Sequence, residues 1–145
     1  MTSHAAGCPE SAVRNVIAMT AISQDARDWD AHAACFTPDA RYSHPKGEIV
    51  GVQGIVDRST GALSRLDRSQ HLVGSVHVVV DGDHAESTAY FVAQHVREAA
   101  PGGSLYVIAG TYRDSLVLVD GQWRIAHRRQ EYSWRDGNPD VIIRD

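Results

Sequence analysis

Two Asp-Gly pairs, Asp81-Gly82 and Asp120-Gly121, constrain this chain more than any other feature of its sequence. Each ends a run rich in β-branched and apolar residues, SQHLVGSVHVVV in one case and SLVLV in the other. A tight two-residue hairpin needs positive φ at its centre, and Asp-Gly adopts that at little cost. Between the pairs, HAESTAYFVAQHVRE and LYVIAGTYRDSLVLV are joined by Pro101-Gly102-Gly103, and WRIAHRRQEYSW follows the second pair. The second half therefore reads as a four-stranded antiparallel meander, with a short extra strand ahead of it.

The first half has a different period. From Glu10, the residues Val13, Val16, Ile17, Thr20, Ala21 and Gln24 recur at helical spacing, apolar until the last member. Asp28 reads as the N-cap of a second helix over Trp29 to Phe36, with Asp30 in its favourable first turn. TPDA at 37–40 reads as a turn, and RYSH at 41–44 as the start of the short strand. A third helix is predicted over 51–66, with Ile55, Leu63 and Leu66 towards the core. The layout is α+β: three N-terminal helices against one curved antiparallel sheet, a cone whose mouth is a pocket. Residues 1–10 read as a loose tail, 11–135 as a single domain, and 136–145 as a C-terminal tail placed to close the pocket.

With 145 residues, 43% hydrophobic and 22% charged, the chain can bury a core without staples. No apolar run reaches the roughly 18 residues of a membrane span, and MTSHAAGCPE lacks a basic-then-apolar leader pattern. A cytoplasmic location follows as the default, with no membrane partner. Cys8 and Cys35 lack metal or redox spacing and read as a tail residue and a small buried hydrophobe. A net charge of -4 argues against nucleic acid, and the run HRR at 127–129 is too short to reverse that.

Asp25 is the residue that local structure does not explain. It falls where the first helix ends, and that end already carries partial negative charge. One turn past Ala21, its side chain should approach the interior. The plainer alternative is a solvated helix-end acid pairing with Arg27 or a nearby base. His71, in SQHLVGS, shares a strand face with 73, 75 and 77, and His95 closes AYFVAQH on the face of Ala89, Phe91 and Ala93. Either could be a satisfied core histidine. Together the three supply what proton removal from carbon needs, a base and a carboxylate to fix its tautomer. Tyr112 alternates onto a face with Gly110 and could turn its hydroxyl inward, while Tyr42 and Trp134 read mainly as core aromatics. A metal site is disfavoured, because His71 and His77 stand about 20 Å apart at strand rise and no HxH or HExxH occurs. GVQG lacks a full nucleotide-binding pattern, and no GxSxG offers a serine nucleophile.

The order QDARDWDAHAACFTPDARY, SQHLVGS, VAQHVRE and VDGQWRIAHRR resembles the SnoaL-like branch of the nuclear transport factor 2-like superfamily. The resemblance runs from about Ala12 to Trp134. DWD, FTPDA and DGQWRIA mark the fold. The trio Asp25, His71 and His95 is similar to the catalytic set of scytalone dehydratase, and the aspartate–histidine pair to that of hexachlorocyclohexane dehydrochlorinase. The resemblance implies that these three line one pocket. It also implies a cofactor-independent, metal-free lyase of the dehydratase type, acting on a small cyclic or carbonyl-activated molecule. His71 would take the proton, Asp25 would orient it, and His95 would hydrogen-bond or protonate the departing group. Gln24 and His44 stand where scytalone dehydratase has tyrosines, and Tyr112 stands near its asparagine. With Tyr42 and Trp134 they are the substrate-positioning set. The same base could serve an isomerase or polyketide cyclase, distinguished by turnover without water loss. A binding or assembly subunit is the alternative outside enzymes, distinguished by indifference to loss of His71. Sheets of this type often pair back to back, so a homodimer or higher homo-oligomer is expected.

Overall fold

The computed structural model describes residues 7–142. Helix α1 (Pro9–Ala26) buries Val13, Ile17, Thr20 and Ala21, the stripe expected from their spacing. The first six residues of the expected N-terminal tail lie outside the described residues. At the end of α1, Arg27 is left-handed (φ 58°), Asp28 N donates to Ser23 O at 2.9 Å and Arg27 N to Gln24 O at 3.1 Å. That closure usually takes glycine. Arg27 offsets the backbone cost by donating from its guanidinium to Gln24 O and Ser69 Oγ, each at 2.8 Å.

Helix α2 (Trp29–Ala34) starts at Asp28, whose Oδ1 accepts from Ala31 N at 3.1 Å. Asp28→Ala is expected to lower stability by roughly 0.5–2 kcal/mol, as at other N-caps, read from urea unfolding midpoints. The helix stops two residues short of Phe36. Cys35 O accepts from Ile125 N at 2.7 Å and Phe36 pairs with Ile125, so the sheet claims that backbone. TPDA is correspondingly not a separate turn. It lies inside strand β1 (Phe36–His44), where the pairing jumps from Phe36↔Ile125 to Arg41↔His127. The turn-forming residues surface as an irregularity within the strand.

The remaining elements are β2 (Gly47–Val50), α3 (Val52–Leu63), β3 (Arg68–Asp81), β4 (His84–Val96), β5 (Leu105–Val119), β6 (Gln122–Gly137) and a 3-10 turn, Pro139–Val141. They form one six-stranded sheet in the order β2-β1-β6-β5-β4-β3. The sheet is mixed, not wholly antiparallel as the hairpin pattern predicts, because β6 returns beside β1 in the same direction. The three helices cover its concave face, where Phe36, Ile55, Leu116 and Ile125 join Val13 and Ile17 in the main core. The β5–β6 turn is Asp120-Gly121 with φ 51° and 78°, the pair of positive values a type I′ hairpin needs. The β3–β4 turn falls one residue later than expected. Asp81 pairs with His84, leaving Gly82-Asp83 as the loop.

Three irregularities re-aim side chains. In β3 the register shifts between Gly74 and His77, with Ser75 at φ 50°. His71 and Val73 face inward, but beyond the bulge Val76, Val78 and Val80 do, and His77 is exposed on the other face. The predicted shared face of 71, 73, 75 and 77 is therefore broken. In β6 the shift opposite Ser115/Leu116 moves the buried phase from Trp123 and Ile125 to Arg128. A further shift falls at Ala109/Gly110. Gly110 cannot be replaced there, since a Cβ would sit 1.9 Å from Glu131 O and 2.9 Å from the Phe91 ring.

Candidate active site

Between the helix layer and the concave sheet lies a partly open cavity of about 60 Å³. Gln24 from α1, Arg58 and Ser59 from α3, His71 from β3, His95 from β4, Tyr112 from β5 and Tyr42 from β1 reach it. Gln130 and Tyr132 from β6 complete its polar lining, and Ile142 meets it from beyond the sheet.

Asp25 does not line the cavity itself but stands behind His71. Its Oδ1 accepts from His71 Nδ1 at 2.7 Å and from Ser69 Oγ at 2.9 Å, and its Oδ2 from His71 N at 2.8 Å. Burial opposes ionisation of the carboxyl, but the His71 ring, the His71 amide and the Ser69 hydroxyl outweigh it and hold Asp25 below the usual carboxylate range. A carboxylate can only accept, so Nδ1 of His71 carries a proton, and in the neutral ring the lone pair is on Nε2. The sequence-based alternative of a solvated acid paired with Arg27 is not the arrangement seen. Arg27 reaches the Asp25 carboxylate through Ser69 and donates directly to the Asp25 backbone carbonyl at 3.5 Å.

His95 lies against His71, with ring centroids 5.9 Å apart and the planes nearly perpendicular. Its Nδ1 is 3.0 Å from Tyr106 O, a carbonyl, so this nitrogen also holds the proton and Nε2 is an acceptor. Burial pushes His95 down to about 4, more than the Tyr106 carbonyl and Asp25 restore. With its proton on Nδ1, the neutral ring offers the cavity an acceptor.

Of the other expected residues, Gln24, Tyr42 and Tyr112 line the cavity, whereas His44 and Trp134 do not. His44 sits at the end of β1, its ring centroid 6.3 Å from that of Tyr42, and the cavity position two residues earlier belongs to Tyr42. Trp134 is 52% exposed and registers with Ala109, Val92 and Leu72 across the outer face. Sequence reasoning missed Arg58, Ser59, Gln130 and Tyr132, along with what lies behind them. Tyr42 donates a short hydrogen bond to Gln130 Oε1, and Arg58 stands 4.9 Å over the Tyr42 ring. Tyr112 is sandwiched between Phe91 and the Arg128 guanidinium, which is 3.9 Å over its ring. Arg128 is itself buried and forked onto Asp114 at 2.9 and 2.8 Å, with Thr20 Oγ1 at 3.1 Å. His32, 1% exposed, touches Ser23 Oγ at 3.1 Å and Ser59 Oγ at 3.4 Å.

Among the described residues no group of three or more His, Cys, Asp or Glu side chains converges on a metal-sized space, and no helix is long and apolar enough to cross a membrane. Burial, with help from the Arg128 charge, pushes His32 down to about 4, like His95. Unfolded imidazoles titrate near 6.5, so between about pH 6.5 and 4 the unfolded chain takes up protons that the folded chain refuses. Stability should be full above that window and fall as pH drops through it, by up to about 3 kcal/mol per histidine at 1.36 kcal/mol per unit. Urea midpoints between pH 7 and 4.5 check this. His95→Asn should flatten the slope, and an unchanged midpoint down to pH 4.5 would contradict it.

A helix-capped α+β cone holding an imidazole–carboxylate pair at its cavity defines the class. Residues 8–129 match the SnoaL-like domain family, and the chain belongs to it. No match was found among curated protein sequences. Among solved structures, a variant of Rv3472, a protein of unknown function from Mycobacterium tuberculosis, is 27% identical over 83% of this chain and 69% of its own, with a TM-score of 0.74. A candidate scytalone dehydratase from Novosphingobium aromaticivorans is 18% identical over 93% and 91%, with a TM-score of 0.81. Hexachlorocyclohexane dehydrochlorinase LinA-type3 from Novosphingobium barchaimii is 15% identical over 99% of both chains, with a TM-score of 0.80. The last two similarities concern the fold.

Proposed function

We propose that this protein is a cofactor-independent lyase of the dehydratase type, taking a carbon-bound proton from a compact carbonyl-activated molecule. The observation that carries this reading is the His71–Asp25 pair at 2.7 Å, whose ring lines the cavity. In the reaction, His71 Nε2 accepts the proton, the C–H electron pair forms the new double bond, and the leaving group departs with its own pair. Asp25 stabilises the imidazolium, a service worth about 10²–10⁴ in rate for a well-placed base. When hydroxide leaves, the imidazolium returns the same proton to it. The dehydratase and dehydrochlorinase named above share the fold and give the reading context.

The neutral state of His95 favours a second reading, an isomerase or cyclase in which the imidazolium returns its proton to another carbon. One experiment separates the two. Compact β-hydroxy and β-halo ketones are incubated in deuterated buffer, and NMR follows elimination and deuterium uptake. Elimination by wild type and none by His71→Ala supports the lyase. Deuterium uptake without elimination selects the isomerase. Equal behaviour of wild type and His71→Ala removes the base.

The C-terminal segment is part of this proposal as the closure of the pocket. Val141 and Ile142 are buried beside Leu63, Leu66 and Tyr106, and Arg97 donates to the carbonyls of Val141 and Asp140 at 3.2 and 2.8 Å. A homodimer is proposed through the outer sheet face, where Leu72, Tyr90 and Trp134 are 60%, 61% and 52% exposed. Sedimentation velocity should show a dimer that Leu72→Glu with Trp134→Glu converts to monomer; a wild-type monomer at micromolar concentration would refute it.

A further inference from the structure

The cavity has a hydrogen-bonding polarity. At one side its walls offer lone pairs. His71 and His95 each spend their Nδ1 proton outside the cavity, on Asp25 and the Tyr106 carbonyl. At the other side they offer donors. Tyr42 donates to Gln130 Oε1, which leaves the Gln130 amide nitrogen with its hydrogens, and the Arg58 guanidinium lies over the same tyrosine ring. The strand order separates the two sides, since β3 with His71 is one edge of the sheet and β6 and β1 lie three and four strands away. Arg58 is the one guanidinium in the cavity wall and forms no ion pair among the described residues. A half-buried cation in the wall of a cavity, with no ion-pair partner among the described residues, favours any anion that forms there.

We infer that Arg58, with the Gln130 amide, is an oxyanion site that stabilises the charge a substrate carbonyl oxygen gains when His71 removes the neighbouring proton. The inference rests on the proton-abstraction reading above and adds the substrate's orientation: carbonyl oxygen towards α3 and β6, acidic carbon towards β3. The step balances. The C–H bond breaks, its proton goes to His71 Nε2, and its electron pair becomes the enolate double bond while the carbonyl pair moves onto oxygen. Negative charge thus moves from the Asp25 side of the cavity to the Arg58 side, along the direction in which the fixed charges favour it. Substrates are then compact aldehydes, ketones or esters. A substrate hydroxyl, where present, donates to His95 Nε2.

Acetate tests this without turnover, because it is a planar delocalised oxyanion with the outline of a small enolate, and acetamide is its neutral isostere. Both are titrated at pH 7 into the intact protein labelled with nitrogen-15, following the Arg58 Nε–H resonance. Wild type is expected to bind acetate at least tenfold more tightly than acetamide, with that resonance moving on titration. Arg58→Met, followed through backbone amides of cavity residues, should lose the preference, and Arg58→Lys should keep part of it. Equal binding of the two probes by wild type, an acetate preference that survives in Arg58→Met, or an unmoved Arg58 resonance overturns the assignment. The deuterium-uptake experiment on His71→Ala is read separately. If uptake depends on His71 while acetate shows no preference, the oxyanion site falls and the proton-abstraction reading stands.

Discussion

Asp25→Asn is expected to cut turnover by about 10²–10⁴ while the protein still folds. The carboxylate accepts three hydrogen bonds, two from His71 and one from Ser69. An amide has one oxygen and one NH2 group for the same places. With its nitrogen towards His71 Nδ1, it forces the ring proton onto Nε2 and removes the lone pair from the cavity. With its nitrogen towards the His71 amide, it sets two donors against each other. Either arrangement leaves a donor unmatched, at about 1–3 kcal/mol. The helix-end argument alone predicts almost no stability loss, so the bonding in the folded protein revises that upward. Melting curves and turnover on the substrate found in the ketone screen decide the matter. Full activity in a well-folded Asp25→Asn variant would make the acid a structural partner only.

The largest loss of stability is expected from Asp114→Ala. Arg128 and Asp114 are each 1% exposed, and their forked contact is the buried charge pair beneath the cavity. Removing the acid leaves a guanidinium in the core with only Thr20 and two aromatic faces as partners. Breaking a buried pair in this way typically costs about 3–5 kcal/mol. Arg128→Met together with Asp114→Ala removes both charges and should recover much of the loss. Urea unfolding of the single and double variants checks both statements. A single variant as stable as wild type would mean that water reaches Arg128.

Some turns were readable in advance, although TPDA proved to lie inside β1 and the β3–β4 loop falls at Gly82-Asp83. Asp120-Gly121 makes its hairpin because two positive φ values are a local demand with a local answer. The α1 stripe, the Asp28 cap and the burial of Ile55 and Leu63 likewise follow from local pattern within a helix, whereas Leu66 is buried beyond the end of its expected helix, because α3 stops at Leu63. The dyad was legible for a related reason. Asp25 conflicts with its own helix end, and such a conflict marks a residue used elsewhere.

Arg128, Gln130 and Tyr132 were hidden by a bulge. Alternation carried on from Trp123 and Ile125 points to 127, 129 and 131, and one extra residue in β6 exchanges that set for 128, 130 and 132. The bulge at Ser75 does the same to His77. A strand's period is two, so a single inserted residue sends every later side chain to the opposite face. Where such an insertion is tolerated depends on the partner strand, which no local pattern contains. The same holds for the parallel pairing of β1 with β6 and for the meeting of Arg58, Tyr42 and Gln130 from three elements. The sequence by itself determined the three helices, the hairpin at Asp120-Gly121 and the acid out of place. Tertiary structure alone decided where a strand switches the face it turns inward, and with it the donor wall of the cavity, because the site of a bulge is set by pairing between segments far apart in the chain.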